Sequence, residues 1–569
     1  MSMNRILSLA CTIWLVAFFA AIPRAAQQAQ SPPPGQANPP PVPGARPALV
    51  ATDPHPESLF TPSENCVACH NNLVTPAGED VSIGASWRST MMANSARDPY
   101  WQAGVRRETI DHPNQAEEIQ TECAACHMPM LQKVSKAMGR PADVFAQLPI
   151  DKDDDSDLHE LAADGVSCTV CHQISNEGLG TRDNFNANFT MRPTPPDGAR
   201  VIFGPFKIDA GRKTIMRSVT GFVQAEATHV QQSELCATCH TLFTEVRNPA
   251  GQVVGSFPEQ MNFQEWQHSV YSQGEDARSC QSCHMPQVTG QTRIASVLGD
   301  SRDGLHRHLF VGGNAFVVRM LNRYRNELGV TALPAELEAT ARATIRQLQE
   351  DTATVSIART EMAGGKLNVD VDVRNLTGHK FPTGYPARRT WLHVTVRDRQ
   401  GRAVFESGAV TAAGLIQGND NDADALKYEP HYDQITGADQ VQIYEAILGD
   451  AANMPTTGLL NATHYVKDNR LLPRGFDKAT ADKDIGVYGA AARDSNFAGE
   501  GDRVRYAVDV PAGGSFTVDV ELLYQPIGFR WAHNLDKYNA FEPKRFVNYF
   551  NAMSADSWVV IAKATTDTP

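Results

Sequence analysis

Cysteine is missing from the whole second half of the chain. Residues 285–569 contain none; ten of the eleven cysteines lie between residues 66 and 283, and Cys11 lies in the N-terminal apolar run. Exported proteins usually spend cysteines on disulfides. We expect no disulfides here, because all ten cysteines fall into one repeated motif that gives them another use.

Basic residues are scarce as well. The chain of 569 residues has 51 Lys and Arg against 64 Asp and Glu, a formal net charge of −13. Because phosphate contacts need clustered Lys and Arg, we expect no nucleic-acid partner. The composition, 42% hydrophobic and 20% charged, suits a globular protein, and the length predicts two or more domains.

Long hydrophobic runs are absent except at the N-terminus. There Arg5 is followed by the uncharged run ILSLACTIWLVAFFAAI, which is the pattern of an export signal. We predict a signal peptide over residues 1–29 and a periplasmic or extracellular location. An uncleaved signal that anchors the protein is the alternative, and it is the one membrane contact we expect. Eight prolines in residues 31–47 predict an extended linker over residues 30–48.

The ten remaining cysteines form five Cys-x-x-Cys-His pentads. In chain order these are CVACH (66–70), CAACH (123–127), CTVCH (168–172), CATCH (236–240) and CQSCH (280–284). Two thiols three positions apart on a helical turn can each add to a vinyl group of one haem, and the histidine that follows can bind the iron. We therefore predict five covalently bound haem c groups.

The attachment residues follow directly from the motif. The predicted thioether cysteines are Cys66, Cys69, Cys123, Cys126, Cys168, Cys171, Cys236, Cys239, Cys280 and Cys283. The predicted proximal iron ligands are His70, His127, His172, His240 and His284.

Zinc binding and thioredoxin-like redox chemistry are the alternative uses of such pairs. A Cys-x-x-Cys pair is half of a Cys₄ zinc site, but five pairs cannot all be matched, and zinc gives no reason for a histidine after each pair. Haem also makes a consistent module, because about 280 residues have a radius of gyration of roughly 19 Å, which crowds five haems into a chain with edges on the order of 10 Å apart.

The character of the sequence changes near residue 351. Before it, short helical stretches dominate, and PAELEATARATIRQLQED (334–351) has the apolar spacing of one helix face. After it, apolar and polar residues alternate, as in Leu367, Val369, Val371 and Val373, which is typical of strands.

The predicted fold class is therefore multidomain, with a mainly helical and loop-rich haem module followed by an all-β, sandwich-like domain. We place the five-haem domain at residues 49–330, a connecting helix at residues 331–352 and the β domain at residues 353–569.

The chain resembles the exported multihaem c-type cytochromes, in particular the cytochrome c-552/4-like family, in which a haem module is followed by a β domain. The resemblance rests on the pentads and on their settings, such as DGVSCTVCHQI (164–174). It continues in HLFVGGNAF (308–316), NLTGHKFPTGYPARR (375–389) and KDNRLLPRGF (467–476). It implies a multihaem cytochrome fold and an electron carrier, although distant relatives include hydroxylamine oxidoreductase and the nitrite reductases.

Each haem iron has a second axial position, and histidine or methionine there makes a saturated carrier. The distal candidates are His112, His229, His268, His308 and His379, with Met92 in reserve.

Different observations nominate these residues. His112 precedes Pro113, so it is expected to end a helix. His308 opens the HLFVGGN phrase, and His379 would be donated by the β domain across the interface between the two modules. His229 and His268 match histidines that the resembling family carries.

Further residues are held as alternatives. His55, His159, His306 and Met91 are further candidates for the distal positions. Arg388 and Arg389 could pair with haem propionates or face solvent on a strand.

The expected function is electron transfer between redox partner proteins outside the cytoplasm. An enzyme is the alternative: one five-coordinate haem would act on a small nitrogen or sulfur compound. Against it, the chain has no Cys-x-x-Cys-Lys variant of the kind that the nitrite reductases use. A third hypothesis is that the β domain binds a polysaccharide or a protein and the haems are auxiliary.

Overall fold

The described residues between 58 and 350 fold mainly as short helices joined by loops, as the sequence predicts. The computed structural model describes residues 58–152, 156–248, 250–511 and 514–568. The predicted signal peptide and proline-rich linker lie outside these residues, as does His55. We call residues 58–350 the helical part and residues 353–568 the β part.

The helical part contains thirteen α-helices among its described residues. They are α1 (Glu64–Val67), α2 (Ile83–Arg88), α3 (Pro99–Asp111), α4 (Ala116–His127), α5 (Pro129–Ala137), α6 (Asp157–Ala163), α7 (Cys168–Cys171), α8 (Ala210–Thr220), α9 (Ser233–Ala237), α10 (Asn262–Gln267), α11 (Cys280–His284), α12 (Ala315–Arg323) and α13 (Pro334–Glu350).

Three pairs of short strands interrupt these helices. They are β1 (Arg200–Gly204) with β2 (Phe222–Glu226), β3 (Leu242–Arg247) with β4 (Val253–Gln260), and β5 (Thr292–Arg293) with β6 (Ser301–Arg302). The first pair is parallel and the other two are antiparallel.

The β part consists of two sheets. Its strands are β7 (Ala353–Ala363), β8 (Lys366–Asn375), β9 (Arg389–Arg397), β10 (Ala403–Ser407), β11 (Gln434–Ile435), β12 (Ile443–Gly449), β13 (Pro455–Thr456), β14 (His464–Asp468), β15 (Gly501–Asp509), β16 (Thr517–Gln525) and β17 (Val559–Asp567). One sheet has the order β11-β15-β8-β7. The other has the order β13-β12-β9-β16-β17, with β10 added to β9 and β14 to β12.

The alternation seen in the sequence places the apolar side chains between the sheets. Val369 and Val371 of β8 and Val394 and Val396 of β9 are fully buried and belong to one core cluster. Side chains of successive strand residues point to opposite faces, so this register gives each sheet one apolar face. The predicted fold class, helices and loops followed by a sandwich-like β region, is confirmed.

The two parts share a second core. The β part also carries α14 (Asp420–Ala423), α15 (Phe529–His533) and α16 (Phe541–Met553), and α16 packs against α3. Phe546 of α16 lies in one cluster with Ala103 of α3 and Phe316 of α12. The described residues accordingly belong to one compact unit.

Elsewhere in the helical part the apolar side chains form small separate clusters. One surrounds Met130 and Val170, a second surrounds Met128 and Leu131, and a third surrounds Leu73. A protein interior is normally close-packed. Separate small clusters are what we expect where a large apolar group fills the space between them.

None of the described helices combines the length and the apolar composition that crossing a lipid bilayer requires.

The shared core predicts that damage at α16 destabilises the whole molecule. Phe546 is 0% exposed, so Phe546→Ala should lower the free energy of unfolding by about 3–5 kcal/mol. The measurement is thermal unfolding followed by far-UV circular dichroism. The matched control on the same helix is Phe541→Ala, because Phe541 is 67% exposed and its loss should change little. Two unfolding steps, with only one of them shifted, would contradict a shared core.

Candidate functional site

Each pentad begins on a turn of helix. The second and fifth lie within α4 and α11, and the others begin in α1, α7 and α9. In the first, third and fourth pentads the backbone N–H of the histidine donates to the carbonyl of the first cysteine, with His70 and His172 at 3.0 Å and His240 at 2.9 Å. Residues three and four apart on a helix are surface neighbours. The turn therefore brings the two thiols and the imidazole of each pentad together.

The ten cysteines of the described chain are all free thiols. Thiols of different pentads meet: Cys66 hydrogen-bonds Cys168, Cys236 hydrogen-bonds Cys280, and Cys239 hydrogen-bonds Cys126. No disulfide forms, although the protein places these thiols side by side.

Four pentad histidines are held by the same hydrogen bond. The Nδ1 atom of His70 donates to the carbonyl of Ile294 at 2.6 Å, and that of His172 to Phe203 at 2.6 Å. His127 binds the carbonyl of Ser95 and His284 that of Val311 in the same way. A carbonyl can only accept, so Nδ1 carries the proton and the lone pair is on Nε2. A backbone contact of this kind orients a metal-ligating imidazole.

Burial keeps these imidazoles uncharged. It lowers the pKa of His127 to about 4. Burial also lowers the pKa of His172 and of His284. Charging an imidazole in an apolar interior is costly, so the rings are neutral at neutral pH and can bind a metal ion through nitrogen.

His308 lies opposite the third pentad. The ring centroids of His172 and His308 are 6.4 Å apart, and the ring planes differ by 23°. The Nδ1 atom of His308 donates to the carbonyl of His306 at 3.0 Å, which leaves Nε2 free. Burial lowers the pKa of His308 to about 3.

His379 lies opposite the fifth pentad in the same manner. The ring centroids of His284 and His379 are 6.2 Å apart, and the planes differ by 15°. The Nδ1 atom of His379 donates to the carbonyl of Lys380 at 2.9 Å. Burial lowers the pKa of His379 to about 4. A loop of the β part therefore presents an imidazole to the helical part.

These two separations match an iron ion held between two imidazoles. With metal–nitrogen bonds of about 2 Å on either side of one ion, the ring centroids lie roughly 6 Å apart. The free Nε2 atoms, the neutral rings and the adjacent unpaired thiols are the donor set that a covalently attached haem uses. The residues present thus fit the predicted cofactor at the third and fifth pentads.

One solved structure is similar to this chain. It is the crystal structure of a penta-heme cytochrome c552 from Thermochromatium tepidum, with 15% sequence identity and a TM-score of 0.48. The match covers 90% of this chain and 100% of that chain. No protein-family model and no curated protein sequence matches.

The other distal candidates have different surroundings. His268 donates through Nδ1 to the carbonyl of Gln264 at 2.8 Å, so its Nε2 is free. The Nε2 atom of His112 is buried, lies 4.0 Å from Glu108 Oε2 and has no hydrogen-bond partner among the described residues. His229 differs, because its Nε2 donates to the carbonyl of Ile174 at 2.8 Å and so offers no lone pair there. The structure brings none of the three into a ring pair with a pentad histidine.

The reserve candidates are also located. Met92 is half-buried, and its carbonyl accepts the backbone N–H of Val166 at 3.0 Å. Met91 packs against the core shared with the β part. His159 donates through Nε2 to the carbonyl of Ile150 at 3.1 Å. His306 donates through Nδ1 to the carbonyl of Met285 at 2.6 Å.

Sequence reasoning missed Trp101, which contacts a pentad, and it named Arg388 and Arg389 for other roles. Trp101 stacks on the ring of His127 at 4.6 Å, which fixes the imidazole plane. Burial is the main cause that lowers the pKa of His284, and the Arg388 guanidinium lowers it further. Arg388 makes a smaller contribution of the same sign at His240 and His379. Arg389 instead pairs with Asp422 inside the β part. From the sequence, Arg388 is expected to pair with a haem propionate or to face solvent on a strand.

A second cluster of potential metal ligands lies in the β part. His431, Asp494 and Asp502 present ligand atoms within 4.8 Å of one another. However, the amides of Gln442 and Asn469 both donate to His431 Nδ1. The proton is therefore on Nε2, which donates to Asp494 at 3.2 Å. The arrangement is a closed hydrogen-bond network and offers no imidazole lone pair.

The pairing of His172 with His308 predicts a ligand assignment. In the protein carrying haem, His308→Ala should turn one of the five low-spin ferric signals in the electron paramagnetic resonance spectrum into a high-spin signal, because one axial ligand is lost. His306→Ala is the matched control, two residues away, and should leave the five signals in place. The opposite outcome would assign the ligand to His306.

Proposed function

We propose that the protein is an exported cytochrome with five covalently bound haem c groups, which relays electrons between redox partner proteins. The observation that carries the proposal is the placement of His308 and His379 opposite pentad histidines, at separations of 6.4 and 6.2 Å. Bound haem would supply one-electron redox chemistry at iron, with a potential set by its axial ligands.

The pairing of imidazoles favours a carrier over an enzyme at these two sites. Two histidines that occupy both axial positions leave no place for a substrate. Their backbone hydrogen bonds hold the rings in a fixed orientation, and burial excludes water. A ligand set that does not move on oxidation or reduction suits electron transfer.

The arrangement of the pentads favours a relay. The first pentad meets the third through Cys66 and Cys168. The fourth pentad meets the second pentad through Cys239 and Cys126. The fourth pentad also meets the fifth pentad, through Cys236 and Cys280. Burial raises the pKa of Cys171 to about 12, and the nearby thiol of Cys239 contributes to this shift. The third and fourth pentads are therefore neighbours. The five attachment sites thus form one contiguous group, with the fourth at its centre.

Export and partners are part of the same proposal. The apolar run behind Arg5 supports a periplasmic or extracellular location. Haem c in such a place would exchange electrons with other redox proteins, and the net charge of −13 favours partners with a basic docking surface.

The direct test is the intact mass of the purified, exported protein. We expect the mass of the polypeptide without its signal plus five haem groups, and red protein after denaturation, because thioethers survive it. Replacing Cys66 and Cys69 together with Ala should remove one haem mass. A colourless protein with the bare polypeptide mass would refute the proposal.

A second candidate function is a haem enzyme, and one observation favours it. Beside the second pentad the Nε of Arg107, Oε2 of Glu108 and Nε2 of His112 are buried without a hydrogen-bond partner among the described residues. Burial raises the pKa of Cys123, and the carboxylates of Glu122 and Glu108 raise it further. This polar group therefore lies close to the second pentad. Unpaired polar atoms of this kind can receive a small ligand.

Cyanide distinguishes the two functions. A carrier with ten axial ligands should show no high-spin ferric signal and no spectral change on addition of cyanide. An enzyme should show one high-spin iron that cyanide turns low-spin, and His112→Ala should leave that signal in place. If a high-spin ferric signal appears only after His112→Ala, His112 is instead an axial ligand of a carrier.

A further inference from the structure

A buried network of four charges joins the helical part to the loop that carries His379. Glu265, on α10, is 0% exposed, and so is Lys380. Asp468 and Arg470, both buried, complete the network. Three of the four, Lys380, Asp468 and Arg470, lie in the phrases NLTGHKFPTGYPARR and KDNRLLPRGF, and the attachment of haem gives none of these three a role.

The contacts alternate in charge. Lys380 Nζ donates to Asp468 Oδ2 at 2.7 Å, and Arg470 binds both oxygens of Asp468, at 2.9 and 2.8 Å. Arg470 also lies 3.0 Å from Glu265 Oε1. Burial alone would raise the pKa of Asp468, but Arg470 and Lys380 lower it to about 2. The network therefore brings two carboxylates and two cations into contact inside the protein.

Glu265 also accepts hydrogen bonds from the segment that follows His379. Its Oε2 accepts the backbone N–H of Lys380 at 3.1 Å and the hydroxyl of Thr383. On the other side of the same peptide bond, the carbonyl of His379 accepts from Asn375 Nδ2 at 2.7 Å and from the Thr377 hydroxyl at 2.9 Å. The peptide group after His379 is thus held at both ends, and among the described residues of the helical part Glu265 is the one that holds it.

Close packing of the loop before His379 against the helical part further restricts its position. A Cβ atom on Gly378 would lie 3.2 Å from side-chain atoms of both Trp266 and Tyr271. The loop before His379 therefore lies directly against the segment that follows Glu265. A displacement of the Lys380 backbone would move the imidazole of His379, whose Nδ1 is bonded to the Lys380 carbonyl.

We propose that Glu265 is a positioning residue for His379: its carboxylate fixes the Lys380 peptide and thereby sets the orientation of the His379 imidazole opposite His284. The inference rests on the proposed function, in which His379 is an axial ligand. It also gives the two phrases a role, because Lys380, Thr383, Asp468 and Arg470 are the partners that keep a buried carboxylate at this place. An unpaired buried charge would be costly, so the four residues depend on one another.

The test uses the full protein carrying haem and its electron paramagnetic resonance spectrum. His379→Ala first identifies the signal of the iron that His379 binds, and added imidazole should restore it. Glu265→Ala should then shift that same signal or convert part of it to high spin, and it should move the reduction potential of that one haem away from the wild-type value. The other four signals should stay unchanged. Glu265→Gln, which retains an acceptor for the Lys380 N–H, should restore most of the wild-type signal.

The control is another buried carboxylate with an arginine partner. Asp422 binds Arg389 at 2.6 and 2.9 Å, and no proposed ligand neighbours it. Asp422→Asn should lower the melting temperature and leave all five signals unchanged. If Glu265→Ala does not fold, Thr383→Val decides, because it removes one donor to Glu265 and should shift the His379 signal alone.

The outcomes separate the two proposals. A folded Glu265→Ala protein with five unchanged signals, or with all five altered alike, overturns the positioning role. An unchanged spectrum for His379→Ala would refute His379 as a ligand, and the positioning role with it, while the covalent attachment of haem would stand on the mass measurement.

Discussion

The two imidazole pairs depend on one constraint: the backbone satisfies one ring nitrogen of each histidine and leaves the other for a different partner. His172, His284, His308 and His379 all donate through Nδ1 to carbonyl groups. Their Nε2 atoms are thereby kept free, and burial keeps the rings neutral. A neutral imidazole nitrogen with a free lone pair can bind a metal ion. The need for that missing partner explains much of the helical part.

The small size of the apolar clusters follows from the same constraint. The helical part has no single core of its own, but it has small clusters, adjacent thiols and rings that face one another. Covalent attachment of large apolar rings would fill this space and tie distant segments together. Ligand binding that exists only in the folded state adds directly to folding stability. If haem is attached as proposed, its attachment and the folding of this part would be coupled.

The β part contributes to the site as well as to the fold. It supplies His379, and it shares a core with α3 and α12 through Phe546. Arg106 binds Glu542 across 436 residues of sequence. The ion pair with Glu265 adds a polar connection near His379 itself. Two connections of different chemistry hold the imidazole donor at a defined distance from the helical part.

The sequence predicts those features that depend on local pattern. The pentads and the change from helix to strand are local, and both could be identified from spacing alone. His308 was nominated by the phrase HLFVGGN, which it opens, and His379 by the phrase GHKFPTGY and its place in the β domain. The family resemblance nominated His229, but the structure engages its Nε2 with Ile174. Glu265 had no sequence signal, since its partners lie more than a hundred residues away and burial of a carboxylate depends on tertiary packing. The packing of α16 on α3 is hidden for the same reason.

The most direct measurement is an anomalous-difference map at the iron absorption edge from crystals of the exported protein. The account predicts five iron peaks, one of them between His172 and His308 and another between His284 and His379. Iron peaks next to the pentads, with His308 and His379 turned away from them, would contradict the ligand pairs. A map without iron would contradict the account as a whole.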